Sequence, residues 1–180
     1  MANSTGTAAG PSAAIPPDDV TRKLTLANSD DPKARHVSVA GGTYTVLVSG
    51  EQTGGRYSLI DMLVPPSGGP PPHRHDFEEM FTILDGEIEL TFRGEAHRAG
   101  AGSTVNIPAN APHSFKNKSD KPARLLCMCT PAGQEQFFME VGDPVDSRTA
   151  PPPKLSPAEQ AERIQRAKSL SAKYRTELLV

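Results

Sequence analysis

Apolar residues in this chain come in short bursts. Between positions 35 and 131 they form runs rich in Val, Ile, Leu, Tyr and Phe, each closed by Gly, Pro, Asn or Asp. That is the pattern of β-strands separated by turns. The clearest runs cover 43–49, 57–64, 79–84, 87–93, 104–107, 113–116 and 124–130. In 87–93, Ile88, Leu90 and Phe92 alternate with Glu87, Glu89, Thr91 and Arg93. This strand therefore has one dry and one wet face, and belongs to a sheet that curves over a core. Asp85-Gly86 reads as a tight hairpin turn between two runs, and Thr53-Gly54-Gly55 as a looser one.

The ends of the chain follow different rules. Residues 1–19 are small and polar and are broken by Pro11, Pro16 and Pro17, so they offer too little apolar surface to offset the entropy of ordering. Pro151-Pro152-Pro153 predicts a stiff spacer. A helix is expected to follow, with Ser156 as its cap, Pro157 in its first position and Glu159 reaching back to the cap amide. Its face of Ile164, Ala167, Tyr174 and Leu178 is weakly apolar. This suits a helix lying on the outside of the strands or on a partner subunit, with a lid as the alternative. The expected division is a tail over 1–34, a β core over 35–145, and a proline-rich linker with a helix over 146–180.

Composition narrows the possibilities. The 180 residues carry 19 basic and 21 acidic side chains, well mixed, for a net charge of -2. Electrostatic binding to nucleic acid or to an anionic membrane is not expected from such a chain. No apolar stretch is long enough to span a bilayer, and the N-terminus shows no basic leader before an apolar segment, so a soluble, cytoplasmic protein is expected. Eighteen prolines, fifteen glycines and no tryptophan suit an all-β core. Cys127 and Cys129, two apart on one strand, are poorly placed to bond to each other. They read as small core residues whose thiols can line an internal cavity.

Three of the five histidines fall in two short segments, Pro72-His73-Arg74-His75-Asp76-Phe77-Glu78-Glu79 and Pro108-Ala109-Asn110-Ala111-Pro112-His113. In extended chain, positions i and i+2 share a side, so His73 and His75 can aim at one point while Arg74 turns away. A carboxylate at the start of the next strand can complete a face of two histidines and one acid. His113 can add a fourth donor from a neighbouring strand. Imidazole and carboxylate together suit first-row divalent ions such as Fe, Mn, Co, Ni, Cu or Zn, and four protein ligands leave up to two octahedral positions open. His36 and His97 lie outside both segments and are expected at the surface.

The two segments resemble the paired motifs of the cupin superfamily. His73, His75, Glu79 and Gly86 match the first motif, whose leading glycine is represented by Gly68, one residue too close to His73. Gly102, Pro108, His113 and Asn117 match the second, with Asn110 in place of its middle glycine. Asparagine tolerates positive φ better than other side chains, so the turn is expected to survive. Spacing to Gly86 selects Glu79 over Glu78 as the acidic ligand. Glu79 also shares strand parity with Phe81 and Ile83, which would face inwards. The resemblance spans about residues 40–131 and implies a double-stranded β-helix, or jelly-roll barrel. It further implies one divalent transition metal per chain, held by His73, His75, Glu79 and His113, and a homodimer formed through 43–49 or the terminal helix.

Phe81, Ile83 and Phe115 are expected to line a substrate pocket beside the metal. The segment 137–144 followed by prolines and a helix resembles bacterial monocupins similar to quercetin 2,3-dioxygenase. That resemblance implies cleavage of a flavonol-type small molecule by molecular oxygen, with Glu79 as catalytic base. Two other classes fit the same residues: an oxygen-independent lyase, decarboxylase or isomerase, and a non-catalytic small-molecule-binding protein. No helix-turn-helix segment accompanies the strands, which argues against a DNA-binding regulator.

Overall fold

The structure is a computed structural model and describes residues 14–180; the first part of the expected tail, residues 1–13, lies outside them. The chain builds strands β1 (His36–Val39), β2 (Gly42–Val48), β3 (Ser58–Val64), β4 (His73–His75), β5 (Glu78–Asp85) and β6 (Glu87–Phe92). These are followed by β7 (Glu95–Gly100), β8 (Thr104–Ile107), β9 (His113–Lys116), β10 (Ala123–Thr130), β11 (Asp143–Val145) and β12 (Thr176–Leu178). Helices α1 (Gly50–Thr53), α2 (Gln134–Val141) and α3 (Pro157–Ser171) are inserted between them.

Two antiparallel sheets face each other, with strand orders β11-β1-β2-β3-β10-β5-β8 and β12-β4-β9-β6-β7. The alternation seen in the sequence sets what lies between them. On β10, Leu125, Cys127 and Cys129 are fully buried while Arg124, Leu126 and Met128 face outwards. Ile60 and Val64 of β3, Ile107 of β8 and Ile88 of β6 complete a dry centre. Burying side chains of this size stabilises the fold by roughly 1.5–3 kcal/mol each relative to leaving them exposed.

Asp85-Gly86 is not a hairpin. β5 belongs to the seven-stranded sheet and β6 to the five-stranded one, so the chain crosses between layers there. Gly86 has φ 71°, and a Cβ would lie 2.7 Å from the Pro122 carbonyl oxygen, which makes glycine a requirement of the crossing. At Thr53-Gly54-Gly55 the looser connection is one helical turn, α1, ended by Gly54 in the left-handed conformation. The two departures from the motifs are also explained. Ser67 stands where the first motif asks for glycine and takes φ 65°, and Asn110 takes φ 69°.

Part of the expected tail, beyond the residues whose composition argued against order, packs on the barrel. Ser29, in the expected tail, is buried and hydrogen-bonds to Asp61, which Arg124 also grips through Nη2 at 2.5 Å. His36 is buried rather than at the surface, its Nδ1 2.8 Å from Thr45 Oγ1, because β11 covers β1 from the edge. His97 is exposed on β7. The capping box at Ser156 and Glu159 forms as expected. The helix nevertheless ends at Ser171: Tyr174 sits in a 3-10 turn and Leu178 in β12. β12 pairs with β4, setting Thr176 opposite His75 and Leu178 opposite His73. No helix among the described residues is long and apolar enough to cross a membrane.

Candidate metal centre

β4 and β9 are neighbours in the five-stranded sheet, with His73 opposite His113. Glu79, opposite Cys129 and Ile107, reaches the same point from the facing sheet. The donor atoms of His73, His75, Glu79 and His113 all lie within 4.8 Å of one another, and all four residues are buried. Donors about 2.1 Å from one ion would stand roughly 3–4 Å apart, so small side-chain shifts bring all four into one coordination sphere. Asn110, at the motif turn, donates its backbone N–H to the His75 carbonyl at 2.7 Å and so locks the two segments together.

The protonation pattern decides what the cluster can hold. Each imidazole Nδ1 is 2.9 Å from a backbone carbonyl oxygen, of Pro71 for His73, Phe77 for His75 and Ala111 for His113. A carbonyl only accepts, so each Nδ1 carries a hydrogen, and each neutral ring points its Nε2 lone pair at the centre. Yet Nε2 of His75 and His113 lie 3.2 and 3.1 Å from Glu79 Oε2. Three lone-pair-bearing atoms buried together require a cation among them, either added protons or a metal ion. The donor set therefore fits a divalent ion.

The pKa shifts follow from the same arrangement. Burial, reinforced by the charge of His113, pushes His73 down to about 4, so it remains a neutral donor at ordinary pH. Burial also disfavours protonation of His113, but the hydrogen bond and charge of Glu79 outweigh it and raise its pKa. Glu79 would be pushed up by burial, but hydrogen bonds from His113 and His75 hold it well below the usual carboxylate range. His75 is oriented further by stacking on Phe77, with ring centroids 3.9 Å apart.

Glu78, next in sequence, points the other way. It accepts from Asn106 Nδ2 at 3.0 Å and from the Ala109 N–H at 3.1 Å, so it fixes the loop leading to His113. Asn117, the last motif residue, is fully buried and donates to the carbonyls of Val64 and Lys121. Its role is to tie β9 to β3. Cys127 lies with its Sγ 3.4 Å from Glu79 Oε1 and 3.7 Å from Cys129 Sγ. Its hydrogen bond with Cys129 and its burial push the thiol well above its usual pKa, so it stays an S–H that donates to the carboxylate. Cys127, Cys129 and Glu79 form a second close group of donors.

The cluster opens through His73 and Glu79 onto a cavity of about 950 Å³. Phe81 and Phe115, expected at the pocket, do line it, edge to face with centroids 5.2 Å apart. Ile83 does not: it is 1% exposed in the closed core, one step further along β5 from the opening. Much of the wall comes from residues not expected at the pocket, namely Tyr44, Met62, Gln134, Phe137 and Phe138. The apolar spacing of Phe137, Phe138 and Val141 between Gly133 and Gly142 carries the helical signal of α2. α3, expected on the outside of the strands or on a partner with a lid as the alternative, borders the same cavity through Gln160, Arg163, Ile164 and Ala167.

Residues 60–129 match the cupin domain family. Over 113 residues, 60% of this chain, the sequence is 33% identical to quercetin 2,3-dioxygenase of Bacillus subtilis (strain 168) and covers 32% of that protein. Over 58 residues, 32% of this chain, it is 40% identical to the HTH-type transcriptional regulator PuuR of Escherichia coli (strain K12) and covers 31% of it. The chain thus spans about a third of the length of these two curated relatives. Among solved structures, the polyketide cyclase RemF from Streptomyces resistomycificus matches with TM-score 0.53 and 22% identity, over 81% of this chain and 99% of that one. A predicted oxalate decarboxylase from Thermotoga maritima matches with TM-score 0.53 and 21% identity, over 59% and 98%. Identities this low speak for the fold alone. Two facing antiparallel sheets, both histidine motifs at one buried point and the family match agree: the barrel of this chain is a cupin domain, with the cupin double-stranded β-helix fold.

Proposed function

We propose that the protein is a metal-dependent dioxygenase that cleaves a flavonol or a similar enolisable aromatic substrate with molecular oxygen, releasing carbon monoxide. The observation that carries this reading is the junction of a buried three-histidine, one-glutamate cluster with an aromatic-walled cavity of about 950 Å³, a size that suits a small polycyclic molecule. The 33% identity to quercetin 2,3-dioxygenase over 113 residues supports the reaction class. His73, His75, Glu79 and His113 would hold the ion, which when bound would act as a Lewis acid towards the substrate's hydroxyl and carbonyl oxygens. Glu79, ionised and at the cavity wall, accepts the hydroxyl proton and so leaves the electron-rich enolate that oxygen attacks. Phe81, Phe115 and Phe138 hold the rings and exclude water, which strengthens every charge interaction at the cluster.

The test is to load purified protein in turn with iron, manganese, cobalt, nickel and copper, and to follow oxygen uptake and bleaching of quercetin. At least one metal form should consume oxygen and flavonol together. Stoichiometric metal without turnover in any form would rule the reading out.

A further inference from the structure

Two polar groups that reach the cavity, the Tyr44 hydroxyl and the Gln134 side-chain nitrogen, make no hydrogen bond among the described residues, and we infer that they form a recognition point for an acceptor oxygen of the ligand, separate from the metal cluster. The first is the Tyr44 hydroxyl. Tyr44 is 2% exposed, lines the cavity and packs edge-on against Phe138 with centroids 4.9 Å apart. No group among the described residues hydrogen-bonds to its oxygen, and the oxygen is not sealed from solvent. The second is the Gln134 amide nitrogen. Gln134 is 3% exposed, lines the same cavity, and its Oε1 accepts from Thr176 Oγ1 at 3.4 Å. Thr176 Oγ1 shares its hydrogen with the Tyr174 carbonyl at 3.2 Å, and in this amide orientation Nε2 makes no hydrogen bond among the described residues.

Solvent reaches these groups through the cavity, so a ligand that displaces it must offer an acceptor in its place. Elsewhere along the edge of the cavity, Arg163 is paired with Asp143 and Glu89 with Lys118. Burial, with the nearby negative charge of Glu79, keeps the Tyr44 phenol protonated. Both free groups are therefore donors. What they ask for is an acceptor, a carbonyl, ether or hydroxyl oxygen, carried on a flat apolar frame that fills the space between Phe81, Phe115 and Phe138. Tyr44 and Gln134 are positioning residues that set which edge of a polycyclic ligand faces the cluster.

This inference rests on the proposed function only in treating cavity and cluster as one site, and its test needs no turnover. Zinc-loaded protein is titrated with 9-fluorenone and with fluorene, flat molecules of the same shape that differ in one carbonyl. The ketone is expected to bind about five- to tenfold more tightly, with its carbonyl stretch shifted to lower frequency. Tyr44→Phe should remove most of the preference and the shift while metal content stays at the wild-type level, and Gln134→Leu should reduce both. A preference and shift unchanged in both variants would assign the carbonyl to the ion and overturn the inference. Equal binding of the two probes, or binding of neither, would also overturn it. Failure of quercetin turnover, by contrast, bears on the reaction and not on these groups.

Discussion

The cavity has two poles built on opposite principles. At the polar pole, every ligand-bearing ring is fixed from behind: three backbone carbonyls at 2.9 Å set the tautomers of His73, His75 and His113, and Cys127 fixes the far oxygen of Glu79. At the apolar pole, Phe81, Phe115, Phe137 and Phe138 form the wall, and the Tyr44 hydroxyl and the Gln134 side-chain nitrogen make no hydrogen bond among the described residues. Preorganisation of the first kind keeps donors rigid where an ion must be held. The other wall gains its shape from packing, which can be altered without touching the donors.

If the poles are separable, substitutions should act on one and spare the other. The largest effect is expected for His75→Ala and His113→Ala, each of which should abolish stoichiometric metal uptake while the far-ultraviolet circular dichroism stays that of the native barrel; elemental analysis reads the outcome. Phe138→Ala should cost about 3 kcal/mol of stability in denaturant unfolding, with metal content unchanged. Glu79→Gln keeps the shape but removes the charge of the one anionic donor, and should weaken metal binding measurably while leaving the fold intact. The smallest effect is expected for Ser156→Ala, which removes the cap of α3 at about 1 kcal/mol. It should speed amide exchange in the first turn of that helix and leave both poles intact.

Proton competition sharpens the same contrast. Metal binding needs neutral imidazoles, and His113 holds its proton to a pH above the ordinary imidazole value. Metal affinity should therefore rise with pH up to that raised value and level off above it. Below it, affinity should fall about tenfold per pH unit. His73, at about 4, adds a second loss only near that pH. Binding of an uncharged probe at the apolar pole should be flat over the same range. A probe affinity that tracked the metal curve would show that the poles are coupled.

The polar pole was legible in the sequence because its donors sit in two short segments, where i, i+2 parity and motif spacing are local facts. Even the departures, Ser67 and Asn110, follow from local conformation, since both occupy left-handed positions. The apolar pole was legible only at Phe81 and Phe115. Tyr44 on β2, Gln134 and Phe138 on α2 and the α3 residues come from three distant parts of the chain, and no local pattern reports that they converge. Asp85-Gly86 misled for a related reason: a turn signal records that the chain reverses, but whether the next strand pairs with the last or crosses to the facing sheet depends on β10 and β8, which already flank β5. β12 was hidden by its length, since three residues carry no period, and its pairing with the histidine strand β4 is a purely tertiary fact.

X-ray absorption at the zinc edge of zinc-loaded protein tests the central claim most directly. The arrangement of His73, His75, Glu79 and His113 predicts one ion per chain with three imidazole nitrogens and carboxylate oxygen at about 2.0–2.2 Å. A sulfur shell at about 2.3 Å, placing the ion on Cys127 and Cys129 instead, or fewer than three imidazoles, would contradict it.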